Sequence, residues 1–323
     1  MPGKFGRVLV LTVLVLAVVG CDGGARRLPV ARSTERVSGL QVVATTVVSA
    51  RMRDLTVASP ALGATAMVRL LLPEHYATRP ERRWPVLFLL HGCCDTYQSW
   101  TRSTDVGQLT ARSDVLVVMP DGGRAGFYSD WLVGPRWETF HLVELPRILQ
   151  RDYRASTVMA IAGVSMGGLG ALDYAARHRG MFRAAASFSG IVDTRLTQRE
   201  SQRYVGLVHS QGADPSGLWG DPRDHAAVWA EHNPYDLASQ LRGIPLYLAV
   251  GTGKPGQLDP TGTAPSTVES ALAAENHALA ARLRALNIPA QYDFYGPGTH
   301  NWPYWQRDLH RAWPLLQTAL GGN

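Results

Sequence analysis

The sequence predicts an α/β fold with a mostly parallel central sheet and helices on both faces. Three observations carry that reading. Short apolar runs recur along the chain, at Trp84–Leu90, Val115–Met119, Thr157–Val164 and Ile244–Val250, and such near-continuous runs suit strands buried on both faces. Longer helical patterns alternate with them, as expected of parallel strands joined by helical crossovers. One run leads directly into Gly163-Val164-Ser165-Met166-Gly167 and then a helical stretch. Strand, tight glycine-flanked turn and helix form the setting in which G-x-S-x-G presents a nucleophilic serine.

Bulk properties agree with one large folded domain. The chain has 323 residues, 46% hydrophobic and 18% charged, and a net charge of +6. A chain of this length buries a sizeable core. The positive excess is spread as isolated arginines, without a Lys/Arg-rich block or aromatic-basic array, so nucleic acid is not an implied partner. No fixed-period repeat is visible, and no C-x-x-C or His/Cys spacing suggests a metal site. No cofactor is implied.

In chain order, Lys4 and Arg7 precede an apolar run from Val8 to Val19 that ends at Gly20-Cys21. A basic start and a short apolar run read as an export signal over residues 1–20. Val18-Val19-Gly20-Cys21 resembles a bacterial lipobox, which implies cleavage before Cys21 and lipid attachment to its thiol. A plain signal peptide or an uncut anchor is the alternative. Residues 21–39 read as a tether, and residues 40–323 as the α/β domain. The expected location is therefore the outer face of the cytoplasmic membrane, as a lipoprotein, with secretion as the alternative. Of the three cysteines, Cys93 and Cys94 are adjacent. Two partly buried free thiols are the expectation, and a vicinal bridge the alternative.

Leu40–Ser49, Leu55–Val57 and Ala64–Leu72 read as an antiparallel opening to the sheet. Trp84–Leu90 and Val115–Met119 follow as buried strands, and Thr139–Gln150 as a helix with Leu142, Leu145, Ile148 and Leu149 on one face. After the serine turn and its helix, Ala184–Ser189 is a strand of small residues. From Asp193 to Asn233 the pattern breaks up among Pro, Gly, Trp and His, as in a small cap-like insertion. Ile244–Val250 is a strand, Thr267–Leu286 an alanine-dense helix, Gln291–Tyr295 the last strand and Tyr304–Leu320 the last helix.

A serine hydroxyl needs a base to take its proton. Of ten histidines, His300 stands in the loop between the last strand and the last helix, where the base of a serine hydrolase of this topology lies. His277 and His310 fall inside helical stretches. His75, His141, His178, His209, His225 and His232 lie outside that loop. A carboxylate must hold the imidazole. Position alone favours Asp259, in the loop after Ile244–Val250, over Glu269 at the start of the following helix, with Asp293 third.

Five motifs occur in order: Phe127-Tyr128-Ser129-Asp130-Trp131; Trp137-Glu138-Thr139-Phe140 with Glu144-Leu145-Pro146; Gly163 to Gly167; Thr299-His300-Asn301-Trp302; and Tyr304-Trp305. Together they resemble the esterase D-type α/β hydrolases, most of all the mycobacterial antigen 85 mycolyltransferases, over residues 40 to 320. The resemblance implies an α/β-hydrolase fold and a serine, glutamate, histidine triad. Glu269, 104 residues after Ser165 and 31 before His300, has the spacing of that family's acid, and Asp259 fits it worse. The resemblance also implies an oxyanion hole from the N–H groups of Met166 and Cys93. His91, Gly92 and Trp302 are expected at the substrate, Trp302 with core packing as its equal alternative. The mycolyltransferases usually carry an aspartate where His91 stands and an arginine where Cys94 stands. His91-Gly92 matches ordinary esterases instead, which removes support for trehalose as the acceptor.

The expected activity is that of a serine esterase or acyltransferase at the cell envelope, acting through an acyl-enzyme on a small-molecule or lipid ester. The acyl group passes to water or to a sugar hydroxyl, and mycolyl transfer is the narrower alternative. A non-catalytic binding protein on the same scaffold is an alternative of a different class.

Overall fold

The computed structural model describes residues 39–321. The expected signal at 1–20, the expected lipid site Cys21 and nearly all of the tether lie outside the described residues. Among the described residues, no helix is long and apolar enough to cross a membrane.

A 9-stranded sheet runs in the order β1-β2-β3-β5-β4-β6-β7-β8-β9. Strands β1 (Gln41–Val47), β2 (Met52–Ser59) and β3 (Ala64–Leu71) form an antiparallel meander. The expected strand at Leu55–Val57 is the middle of the longer β2. β3 pairs antiparallel with β5 (Leu116–Pro120). From there β5, β4 (Trp84–Leu90), β6 (Ala155–Val164), β7 (Ala185–Phe188), β8 (Leu246–Val250) and β9 (Gln291–Phe294) are all parallel.

Period-two alternation divides the strand residues between two apolar layers. Val86, Phe88 and Leu90 of β4 point into one, with Leu87 and Leu89 in the other. β8 does the same with Leu246, Leu248 and Val250 against Tyr247 and Ala249. Each fully buried side chain of this size stabilises the fold by about 1.5–3 kcal/mol.

Two short helices, α1 (Ser99–Ser103) and α2 (Val106–Leu109), lie between β4 and β5; neither is long enough to show helical periodicity in the sequence. The helix expected at Thr139–Gln150 is in three pieces: α3 (Trp137–Thr139), a π turn (Phe140–Glu144) and α4 (Leu145–Asp152). Pro146 has no N–H to continue an α-helical ladder, and the wide turn precedes it. Helix α5 (Met166–Arg177) follows β6 and is buried for nearly its whole length. The irregular stretch after β7 holds α6 (Gln198–Ser210), α7 (Ser216–Trp219), α8 (Ala226–Glu231) and a 3₁₀ turn at Ala238–Leu241. It is anchored by Trp219 and Trp229, both buried, with ring centroids 5.1 Å apart. Helices α9 (Thr267–Ala285) and α10 (Trp302–Ala319) complete the two faces. Leu272, Leu279 and Leu283 of α9 join the layer of α5, while Trp305, Leu309 and Leu316 of α10 join the opposite one.

Candidate active site

The turn between β6 and α5 holds Ser165 at φ 55° and ψ −118°, a conformation that costs a non-glycine residue energy and that the surroundings must enforce. They do so through the backbone: the Ser165 N–H donates to Phe188 O at 2.9 Å, and Ser165 O accepts from Ile191 N–H at 3.1 Å. The flanking glycines are a matter of space. A Cβ at Gly163 would lie 2.1 Å from Gly167 O, and one at Gly167 would lie 2.4 Å from Leu90 O.

His300 reaches this serine from the loop between β9 and α10. Its Nε2 lies 3.0 Å from Ser165 Oγ, and its Nδ1 lies 2.7 Å from Glu269 Oε2. Glu269 accepts only, so Nδ1 carries the proton and Nε2 is free to accept from the serine hydroxyl. The structure thus brings Ser165, His300 and Glu269 together in one chain of hydrogen bonds.

Glu269 gets there through a modified helix start. Ser266-Thr267-Val268-Glu269 has the pattern of a capping box, in which the glutamate would turn back to the N-cap N–H. Ser266 Oγ does accept from Glu269 N at 3.2 Å. The N-cap N–H, however, donates to Gly253 O at 2.7 Å. The carboxylate is thereby released to the interior, where it is fully buried. Its Oε1 accepts from Gly251 N–H at 2.8 Å and Ser189 Oγ at 2.7 Å. The first turn of a 19-residue helix also favours negative charge.

Asp259 does not touch His300. It accepts from Gly256 N at 2.8 Å, Tyr304 Oη at 2.7 Å and the Thr299 hydroxyl. Partial burial pushes its carboxyl up, but these hydrogen bonds outweigh that and hold it below its ordinary value. It braces the loop one residue before the base. Asp293 is committed elsewhere, to Tyr247, Arg307 and Arg311.

Among the described residues, the backbone N–H groups of Met166 and Cys93 donate to no protein acceptor. Met166 opens α5 directly after the nucleophile. Gly92 lies close enough that a Cβ there would sit 3.1 Å from Ser165 Cβ, which places the start of the Cys93 loop beside the serine.

Two expectations at this loop are corrected. Cys93 and Cys94 are not free thiols: the turn that carries them brings their sulfurs together in a disulfide. The side chain of His91, expected at the substrate, is instead buried at 1% exposure. Its Nε2 accepts from Gly122 N–H at 2.9 Å and lies 3.3 Å from Asp121 Oδ1, and its Nδ1 lies 2.9 Å from Gly92 O. With Nε2 accepting, the proton is on Nδ1 and donates to Gly92 O. The imidazole ties the Gly92 backbone to the β5 loop, and the Tyr128 hydroxyl donates to His91 O at 2.8 Å from a third side. Trp302 is half-buried and packs edge-on against Trp100 and Trp305, at 5.3 and 5.0 Å.

A second serine stands in a similar chain. Ser129 Oγ is 3.4 Å from His232 Nε2, and His232 Nδ1 is 3.1 Å from Asp173 Oδ2. Both Ser129 and Asp173 are fully buried, and the Trp219 ring stacks on His232 at 5.1 Å. Ser129 Oγ also accepts from Trp219 Nε1 at 2.8 Å. Glu138, Asp173 and His232 could together offer ligand atoms to a metal. Arg177 already places a cation among them, bonded to Glu138, with Nη1 3.3 Å from His232 Nδ1 and 3.5 Å from Asp173 Oδ2. Nothing in the spacing of Ser129, Asp173 and His232 signals this contact in the sequence.

Comparison with known proteins agrees with the geometry. The esterase family, described as "putative esterase", matches residues 59–316. Esterase Rv1288 of Mycobacterium tuberculosis is 36% identical over 258 residues, covering 74% of this chain and 53% of that protein; the chain spans about half the length of such esterases. The diacylglycerol acyltransferase/mycolyltransferase Ag85B of Mycobacterium leprae is 30% identical over 298 residues, covering 82% of this chain and 90% of that protein. Among solved structures, MPT51 of Mycobacterium tuberculosis superposes with a TM-score of 0.70 at 24% identity, over 84% of this chain and 100% of that one. An S-formylglutathione hydrolase from Agrobacterium tumefaciens superposes with a TM-score of 0.69 at 16% identity, over 87% and 99%. Those two likenesses show the fold. The family match over most of the chain shows more: this protein belongs to the esterase family of α/β hydrolases.

Proposed function

We propose that the protein is a serine-dependent carboxylic ester hydrolase or acyltransferase, with Ser165 as nucleophile, His300 as general base and Glu269 as the carboxylate that orients it. The observation that carries this reading is the unbroken chain from Ser165 Oγ through His300 to Glu269, at 3.0 and 2.7 Å. Ser165 Oγ attacks the ester carbonyl carbon while His300 Nε2 takes its proton. The N–H groups of Met166 and Cys93 hold the oxyanion of the tetrahedral intermediate. His300 then returns the proton to the departing alkoxide, leaving an acyl-enzyme. Water or a second hydroxyl attacks that ester by the same route in reverse. No step calls for a metal or cofactor.

The test is a fluorophosphonate probe together with p-nitrophenyl butyrate. Ser165 is expected to label, and Ser165→Ala to lose both labelling and turnover. An unlabelled wild-type Ser165 would return the chain to the non-catalytic alternative. The likeness to an acyltransferase along nearly its full length supports asking whether a sugar hydroxyl competes with water. Trehalose and simple alcohols supplied beside the same ester, with products scored for transfer, decide it.

The basic, apolar and Gly20-Cys21 sequence at the amino end supports export and lipid anchoring through Cys21. Cys21→Ser should move the protein from the membrane fraction to the soluble one, and unchanged fractionation would refute the anchor.

A further inference from the structure

One short loop grips both ends of the Ser165–His300–Glu269 chain. It follows β7, and Phe188 at the end of that strand and Ile191 in the loop hold the Ser165 backbone through hydrogen bonds of 2.9 and 3.1 Å. Between them stands Ser189, fully buried and at φ 45°, a conformation unfavourable for a residue that bears a Cβ. Its hydroxyl bonds to two side chains that bear on the site. Trp305 Nε1 lies 3.0 Å from Ser189 Oγ, and Ser189 Oγ lies 2.7 Å from Glu269 Oε1.

The direction of these bonds follows from the groups. An indole N–H can only donate, so Ser189 Oγ accepts from Trp305. That leaves the serine's own hydrogen for Glu269, which accepts. Gly251 N–H adds a second donor to the same oxygen at 2.8 Å. With Oε1 held by two donors, Oε2 is the oxygen presented to His300. Trp305 also meets the His300 ring edge-on at 4.8 Å, so one indole supports the base directly and the acid through Ser189.

We propose that Ser189, aimed by Trp305, is a positioning residue that fixes the Glu269 carboxylate in the rotation that His300 requires. This rests on the catalytic reading of Ser165, His300 and Glu269 given above. The strained backbone at Ser189 supplies a clean test. Glycine at 189 removes the hydroxyl and relieves the unfavourable φ, so a loss of activity there is not a loss of folding.

The experiment compares Ser189→Gly, Ser189→Ala and Trp305→Phe with wild type for kcat, KM, melting temperature and the rate of fluorophosphonate labelling at Ser165. Ser189→Gly should lose kcat by about tenfold, with KM within about twofold and the melting temperature kept. Labelling should slow in proportion. Trp305→Phe should lose about threefold, because the hydroxyl remains but its direction is released. Full kcat in Ser189→Gly, or a kcat loss matched by a lower melting temperature in both Ser189 variants, would overturn the proposal. Full kcat in Trp305→Phe would remove the tryptophan from it. If wild-type Ser165 does not label at all, the catalytic reading fails instead. If wild type and Ser189→Gly label equally fast, only the present inference fails.

Discussion

Ser165 and Ser129 each lead, through a histidine, to a buried carboxylate, and the two chains differ in what surrounds them. At Ser165 the hydroxyl is offered to His300, the backbone is forced to φ 55°, and two N–H groups beside it have no acceptor among the described residues. At Ser129 the hydroxyl already accepts from Trp219, the histidine is covered by the same ring, and the carboxylate is shared with Arg177. The acids differ in the same sense. Glu269 spends one oxygen on fixed donors and the other on His300, whereas Asp173 has its Oδ1 buried with no partner among the described residues. A row of serine, histidine and acid is therefore not by itself a reactive site. It becomes one where the hydroxyl is offered to the base alone, and a joint where the hydroxyl, the imidazole and the carboxylate are already engaged by Trp219 and Arg177.

The largest expected effect separates the two serines. Ser165→Ala should lower kcat by roughly 10⁴-fold or more, whereas Ser129→Ala should leave kcat nearly unchanged and weaken folding by about 1–3 kcal/mol, through the Trp219 N–H left unpaired. Comparable kcat losses would erase the distinction. Next in size is the acid. Glu269→Gln should cost about 10²- to 10⁴-fold in kcat, and Asp259→Asn far less; the opposite ranking would return the role to Asp259.

The smallest expected effect is a pH dependence of stability next to the buried joint. His141 lies beside it, with Nδ1 3.0 Å from Tyr174 Oη and Nε2 2.8 Å from Asp121 O. Burial pushes its pKa down to about 4. The folded state therefore binds this proton less readily than the unfolded chain, and stability is complete above about pH 6.5. Roughly 3 kcal/mol is lost as pH falls from there toward 4. Urea melts across that window should show the slope in wild type and a flatter one in His141→Phe; parallel slopes would contradict it.

Much of this organisation was legible in the amino-acid order. The two-sided strands reveal themselves because burial on both faces demands continuous apolar runs, as in Trp84–Leu90. Ser165 is marked by glycines whose replacement would collide with backbone. His300 is marked by its place between the last strand and last helix. Glu269 was harder, because its capping-box pattern has an ordinary structural meaning and only family spacing pointed inward. His91 was misread because its neighbour Gly92 does face Ser165, while the alternation that follows a strand end turns the imidazole into the core. Ser189 left no signal beyond a serine before a glycine; its importance comes from Trp305, distant in sequence. The Ser129 joint is the same case, assembled by packing between α5 and the cap.

The strand order also sets a schedule. Ser165, Ser189, Gly251 and His300 follow the carboxyl ends of β6, β7, β8 and β9, which are neighbours in the sheet. Parts of the site are thus laid across the sheet in the order in which they leave the ribosome. The nucleophile is made first, its acid later, and the base only after β9, held by an indole one turn into α10. His300 follows Ser165 by 135 residues, so a growing chain carries its serine over that stretch with no base to activate it.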